Sequence, residues 1–221
     1  MTTEPKHEMM CGICKKRDCQ HDYPGGIPNW CMAASFADEV GSAKMEYSKS
    51  DTADIYKAAA AVATKGFRQW TRIQESIEFA KELKLTEIGI ASCGALFREL
   101  RMISELFTGA GFNVTAISCK VGKISPEARG FPEMKGQRGT TCNPIAQAAI
   151  LNSAGTQLNF LLGLCMGHDI LFNRYSKAPV STLIVKDRVT GHNPAAALYA
   201  GSLRRPLWKH YCNKDADDVE L

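Results

Sequence analysis

The sequence predicts an α/β fold, a mostly parallel Rossmann-like sheet with helices on both faces, preceded by a small cysteine-rich metal-binding segment. Three observations carry that expectation. From residue 51 onward, helix-period segments alternate with short apolar, β-rich runs, the pattern of successive βαβ units. Hydrophobic residues form 45% of the chain, enough to cover both faces of a sheet without disulfides. Four of the nine cysteines fall within the first 31 residues, where apolar periodicity is missing. The expected division is therefore 1–50 for the cysteine-rich segment and 51–221 for the α/β domain.

Residues 1–50 hold a turn at Tyr23-Pro24-Gly25-Gly26 and little else that is regular, so a bound ligand is the expected source of compactness. A helix opens at Asp51 or Thr52, either a competent N-cap, and runs through the alanine-rich stretch 58–63. A second helix sets Ile73, Ile77, Ala80 and Leu83 on one face and ends near Lys84. This helical section, 51–85, is open to three roles: a lid, a homodimer contact or a cover of the sheet. Residues 87–92 read as the first strand, 96–108 as an amphipathic helix stopped by Gly109-Ala110-Gly111, and 112–118 as the second strand. The stretch 120–141, rich in Gly, Pro and charge, reads as a long loop. A helix at 144–152, a buried strand at 158–164, a helical stretch at 170–175, a strand at 180–186 and a turn or two of helix at 194–200 complete the chain.

The bulk numbers exclude several classes. A net charge of +4, scattered apart from Arg204-Arg205, leaves no nucleic-acid footprint. The first ten residues lack the apolar run of a signal peptide, and the apolar stretch 158–164 is far too short to span a bilayer. The expected setting is cytoplasmic, with neither nucleic acid nor membrane as partner. Thiols stay reduced there, so clustered cysteines point to metal binding or catalysis rather than disulfides.

In open parallel sheets, ligands bind beyond the carboxyl ends of the strands. Cys93 directly follows the first predicted strand, Cys119 the second and Cys165 the third. Cys142 precedes Asn143-Pro144, an N-cap followed by a favoured first helical residue, which sets its sulfur beside a helix N-terminus. Any one of these is equally well a small buried hydrophobe; four at element ends are harder to explain that way. Cys119, Cys142 and Cys165 form the preferred set. Three thiolates suit a [4Fe-4S] cluster with one open iron, or zinc with an open position, and Cys93 as a fourth ligand would close the site. The neighbouring residues offer His168, Asp169 and Lys186 as catalytic groups, and Asn143, Arg188 and Asn193 for substrate binding. The same positions read equally well as helix caps and a solvated strand end.

The N-terminal spacing Cys11-x2-Cys14-x4-Cys19-x11-Cys31 gives a local chelate, a nearby third ligand and a distant fourth, with His21 as an alternate. It fits zinc or a second iron–sulfur cluster and matches neither the ferredoxin run nor a paired zinc ribbon.

The motifs Cys119-Lys120-Val121-Gly122, Thr141-Cys142-Asn143-Pro144-Ile145-Ala146-Gln147-Ala148, Leu164-Cys165-Met166-Gly167-His168-Asp169, Val185-Lys186-Asp187-Arg188 and His192-Asn193-Pro194 resemble the uncharacterised prokaryotic family called domain of unknown function 1847. The resemblance runs over essentially the whole chain. It implies a cysteine-rich metal-binding protein and no assigned reaction. Three expectations follow: an iron–sulfur enzyme of lyase, hydrolase or desulfidase type acting on a small molecule, a non-catalytic electron carrier with a redox partner, or a zinc-stabilised small-molecule-binding protein.

Overall fold

The computed structural model describes residues 10–122, 124–125, 130 and 140–213. Much of the loop read at 120–141, the first nine residues and the acidic tail after residue 213 lie outside the described residues. The chain divides into two compact units, Met1–Ala60 and Ala61–Leu221, with the division inside one helix.

The first unit contains short helices α1 (Met10–Ile13) and α2 (Met32–Ser35), a 3-10 turn at Asp18–His21, helix α3 (Ala37–Glu46) and the start of α4 (Ser50–Lys65). Helix α3 occupies part of the segment to which the sequence reading gives no regular structure. It buries no side chain, so it lacks the apolar stripe by which a helix is recognised.

The second unit is built on four parallel strands, β1 (Glu87–Ser92), β2 (Asn113–Ser118), β3 (Leu158–Leu162) and β4 (Val180–Ile184), in the order β2-β1-β3-β4. Their side chains alternate between two apolar layers, as the period-2 geometry of a strand requires. On one face, Ile88, Ile90, Phe160 and Leu162 pack with Leu100, Ile103 and Phe107 of α6 (Phe97–Gly109) and with Ala80 of α5 (Arg72–Glu82). Helix α5 is thus a cover of the sheet, one of the three roles open to it. On the other face, Ala91 and Leu161 pack with Ala148 and Leu151 of α7 (Pro144–Ser153) and Phe172 of α8 (His168–Tyr175). Each fully buried Leu, Ile or Phe contributes about 1.5–3 kcal/mol, which makes this double core the main source of the unit's stability.

One polar group interrupts the second layer. Asn159 is fully buried in β3, where its amide accepts from Thr156 Oγ1 at 2.8 Å and donates to Ser176 Oγ at 2.9 Å. Its register partner on β1 is Gly89, which leaves the space that the amide fills.

Two helices close the chain, α9 (Ala196–Tyr199) and α10 (Gly201–Cys212). The sequence reading stops at residue 200; α10 lies beyond it, contains Pro206 and buries no side chain. Among the described residues no helix is long and apolar enough to cross a membrane.

The chain leaves β1 through α6 toward one face and leaves β3 through α8 toward the other. Adjacent strands that part in this way open a crevice between their carboxyl ends, the position where doubly wound sheets bind ligands.

Candidate functional site

Backbone pairing carries on past the strand ends and fixes the cysteines that follow. Cys93 N donates to Leu162 O at 3.0 Å, and Cys119 N donates to Ser92 O at 2.8 Å. Asn143 N then donates to Cys119 O at 2.6 Å, drawing the start of α7 onto the same edge. Helix α7 begins there for local reasons: Asn143 Oδ1 accepts from Ala146 N at 3.2 Å as an N-cap, and Pro144 fills the first turn. Gln147, one turn further on, is fully buried and donates through Nε2 to Ser92 O at 3.1 Å and Ile117 O at 2.8 Å, clamping the ends of β1 and β2 together.

The result is a thiol cluster. Cys119 and Cys142 share a hydrogen bond with their sulfurs 3.4 Å apart. Gly94 N donates to Cys119 Sγ at 3.3 Å, and Ala95 N donates to Cys93 Sγ at 3.5 Å. The Cys142–Cys119 bond, donated by Cys142, shifts the two thiols in opposite directions, most strongly Cys119. Its hydrogen bond to Cys142, reinforced by burial, holds that thiol far above the ordinary thiol range. The same bond lowers Cys142 to about 7, against burial and the nearby Cys165 and Cys93, which raise it. Cys142 thus ionises more readily than an ordinary thiol, and the thiolate is the form that ligates metal and attacks electrophiles.

Cys165 is half-buried, with Arg188 Nη2 at 3.7 Å from its sulfur. Arg188 belongs to a tight loop after β4. Asp187 Oδ1 accepts from Val189 N at 2.9 Å and Thr190 N at 3.1 Å, and these bonds, with the Thr190 side chain first, hold the carboxyl below the usual carboxylate range. Asp187 N donates to His192 Nδ1 at 3.0 Å, so the neutral imidazole carries its proton on Nε2.

The other expected groups are placed as follows. Lys186 lies two residues beyond β4, which ends at Ile184 rather than at residue 186 as expected, with its Cε 3.5 Å from where a Cβ on Gly163 would lie. Asp169 Oδ1 accepts from Gly167 N at 3.0 Å and Ile170 N at 2.8 Å, the work of a cap at the start of α8, which His168 opens. Asn193 supplies a backbone carbonyl that accepts from Ala196 N, and its side chain is exposed. Two residues outside the expected set matter here, Gln147 and His192. A polar side chain on an otherwise apolar helix is the signal for the first; nothing in the sequence shows the loop closure that orients the second.

In the first unit, Cys11, Cys14, Cys19 and Cys31 line one cavity of about 360 Å³ together with Tyr23 and Trp30. The Tyr23 hydroxyl lies 3.8 Å from Cys31 Sγ, and that hydrogen bond, with the neighbouring thiols, pushes the phenol above its usual range. Cys212 is exposed at the end of α10, away from any role assigned here. Among the described residues no three His, Cys, Asp or Glu side chains are arranged so that they could hold a single metal ion.

Fold and site together define a doubly wound α/β protein with a cysteine cluster at its switch point. The chain belongs to the family described as a protein of unknown function (DUF1847), whose model matches residues 31–183. It is 43% identical over 192 residues to the uncharacterized protein MJ0455 of Methanocaldococcus jannaschii, covering 86% of this chain and 94% of that protein. No solved structure matches the chain.

Proposed function

We propose that this is an iron–sulfur protein whose core cysteines, Cys93, Cys119, Cys142 and Cys165, hold a [4Fe-4S]-type cluster at the sheet edge. The N-terminal cysteines hold a second metal or cluster, and the protein acts as an enzyme on a small molecule. One observation supports this reading above the others: four thiols from four separate elements converge where a doubly wound sheet binds its ligand. The donor set fits the group. Its ligands are all thiols, one ionising more readily than an ordinary thiol, and backbone N–H groups from residues 94 and 95 point at the sulfurs, an interaction that tunes cluster potentials. A cluster held by only three of these thiolates would leave one iron open as a Lewis acid. The chain's own residues supply the rest: Arg188 a fixed positive charge, His192 an Nε2 proton on an ordered ring, and the Gln147 clamp a rigid floor.

The 3.4 Å approach of Cys119 and Cys142 favours a second reading, a zinc-stabilised small-molecule-binding protein. Zn–S bonds of about 2.3 Å in a tetrahedron set thiolates about 3.8 Å apart. That geometry asks for all ligands at similar spacing, and no three among the described residues meet it. A four-iron cluster takes thiolates more widely spread, so binding it would part Cys119 and Cys142; the all-thiol donor set is what ranks it first.

The deciding measurement is metal and acid-labile sulfide in the full chain purified without oxygen. Iron and sulfide in near-equal amounts are expected, and Cys119→Ser should lose most of the core cluster's share. Stoichiometric zinc without sulfide overturns the cluster reading and leaves the binding protein.

A further inference from the structure

We propose that Cys119 and Cys142 form a redox-active dithiol at the sheet edge, which exchanges with small-molecule disulfides. Such a pair works when no metal is bound, so it goes beyond the cluster reading and does not rest on it.

The two sulfurs lie 3.4 Å apart. A disulfide bond asks them to close by about 1.4 Å, within the swing of two side chains. The backbone beside them is already joined. Asn143 N donates to Cys119 O at 2.6 Å, and Asn143 Nδ2 donates to Val121 O at 3.4 Å. The segment after β2 and the start of α7 are thus held together whether or not the sulfurs are linked. Little further ordering is needed to form the bond, which favours it.

Access sets the order of events. Cys119 is 2% exposed, whereas Cys142 is half-buried, so a molecule from solvent reaches Cys142 and not Cys119. Cys93 lies in the same cluster at 8% exposure. A bond between Cys93 and Cys119 would therefore join two thiols that a small disulfide does not reach. A reachable thiol backed by a buried one is the arrangement that lets a mixed disulfide resolve within the chain.

The exchange balances without any further reactant. The Cys142 thiolate attacks one sulfur of the small disulfide, whose S–S bond breaks. One half leaves and takes up a proton, and a mixed disulfide forms on Cys142. Cys119 then loses its proton to solvent and attacks Cys142 Sγ, and the second half leaves as a thiol. The protein pair is oxidised to a disulfide and the small molecule is reduced to its thiols. Because the second attack is intramolecular, the mixed species is short-lived.

The test uses the full chain, reduced and stripped of metal with a chelator, as wild type, Cys119→Ser and Cys142→Ser. Iron and acid-labile sulfide in an untreated portion report separately on the cluster reading. Each stripped protein is exposed to oxidised glutathione and digested in acid without reductant. Peptide mapping by mass spectrometry then separates the core thiols from those of the N-terminal segment and Cys212. We expect wild type to carry a Cys119–Cys142 bond that excess reduced glutathione reopens. Cys119→Ser should stop at a glutathione adduct on Cys142, and Cys142→Ser should leave Cys119 unmodified. The wild-type map decides even where a variant fails to fold. A bond from Cys119 to Cys93 in its place, a lasting adduct on Cys142, or both thiols left free overturns the dithiol, whatever the iron content.

Discussion

At Gly89 the absence of a side chain lets β1 lie against a strand that carries a buried amide. A Cβ there would meet Asn159 Oδ1 at 1.9 Å and Leu151 Cδ1 at 2.9 Å, and Asn159 cannot retreat without breaking the Thr156–Asn159–Ser176 chain of hydrogen bonds. Gly89→Ala should therefore cost about 3 kcal/mol, the upper end for overpacking a core. Gly41, exposed inside α3 with nothing within 4 Å of its would-be Cβ, is the contrast, and Gly41→Ala should stabilise its helix by about 0.5–1 kcal/mol. Urea denaturation followed by circular dichroism reads the first; helical content and its melting read the second, and equal effects at the two sites would refute the steric account. Single residues were only partly legible in the sequence. Cysteines at strand ends could be read because the chemistry of a doubly wound sheet concentrates there, and the structure brings Cys119 and Cys142 within hydrogen-bonding distance. The ranking among them could not be read. Cys93, the doubtful member, is drawn in because the ladder runs one residue beyond β1, whereas Cys165, one of the preferred three, has the Arg188 side chain against its sulfur.

Elements were legible where an apolar face is buried and illegible where it is not. The four strands and helices α4 to α8 follow the alternation of apolar periods, because each buries a face against a neighbour. Helices α3 and α10 bury no side chain, and α10 contains a proline, so their period leaves no apolar mark. Helix α7 is the element on which the thiol cluster turns. Asn143 caps it through Oδ1, and its Nδ2 also donates to Val121 O at 3.4 Å, tying the loop after Cys119 to the helix that follows Cys142. Asn143→Ala should cost about 1 kcal/mol of stability from the lost cap. It should also speed transfer of metal to a chelator, since Cys142 loses its anchor one residue away. Asn143→Asp keeps the cap acceptor and should sit close to wild type in stability. Thermal melting and stopped-flow chelation separate the two effects, and an Asn143→Ala variant with unchanged chelation would show that the cap does not hold the cluster.

At the scale of the whole molecule, the two units depend on different sources of stability. Between Cys11 and Lys57 no described side chain is buried, and the four thiols line an open cavity. A segment of that composition gains little from apolar burial to offset the entropy of ordering, so under the reading proposed above bonds to a ligand supply the rest. The second unit carries two apolar layers on a parallel sheet and needs no such help. A structural zinc contributes about 10–16 kcal/mol in small peptides near neutral pH, enough to decide whether a unit without a core is folded. Stripping metal from the full chain with a strong chelator under reducing conditions should therefore act unevenly. Limited proteolysis read by mass spectrometry should cut within the first 60 residues and leave a fragment covering most of 61–221. Far-ultraviolet circular dichroism should keep its strand signal and a cooperative thermal transition, shifted downward by the loss of the core cluster. Reloading the metal should restore protection of the N-terminal segment. Cleavage spread evenly over both units would mean that the sheet domain too is held together by its metal, and the apolar layers would then have been credited with too much. Unchanged protection of residues 11–57 after stripping would mean that the thiols there do not bind the ion that orders them.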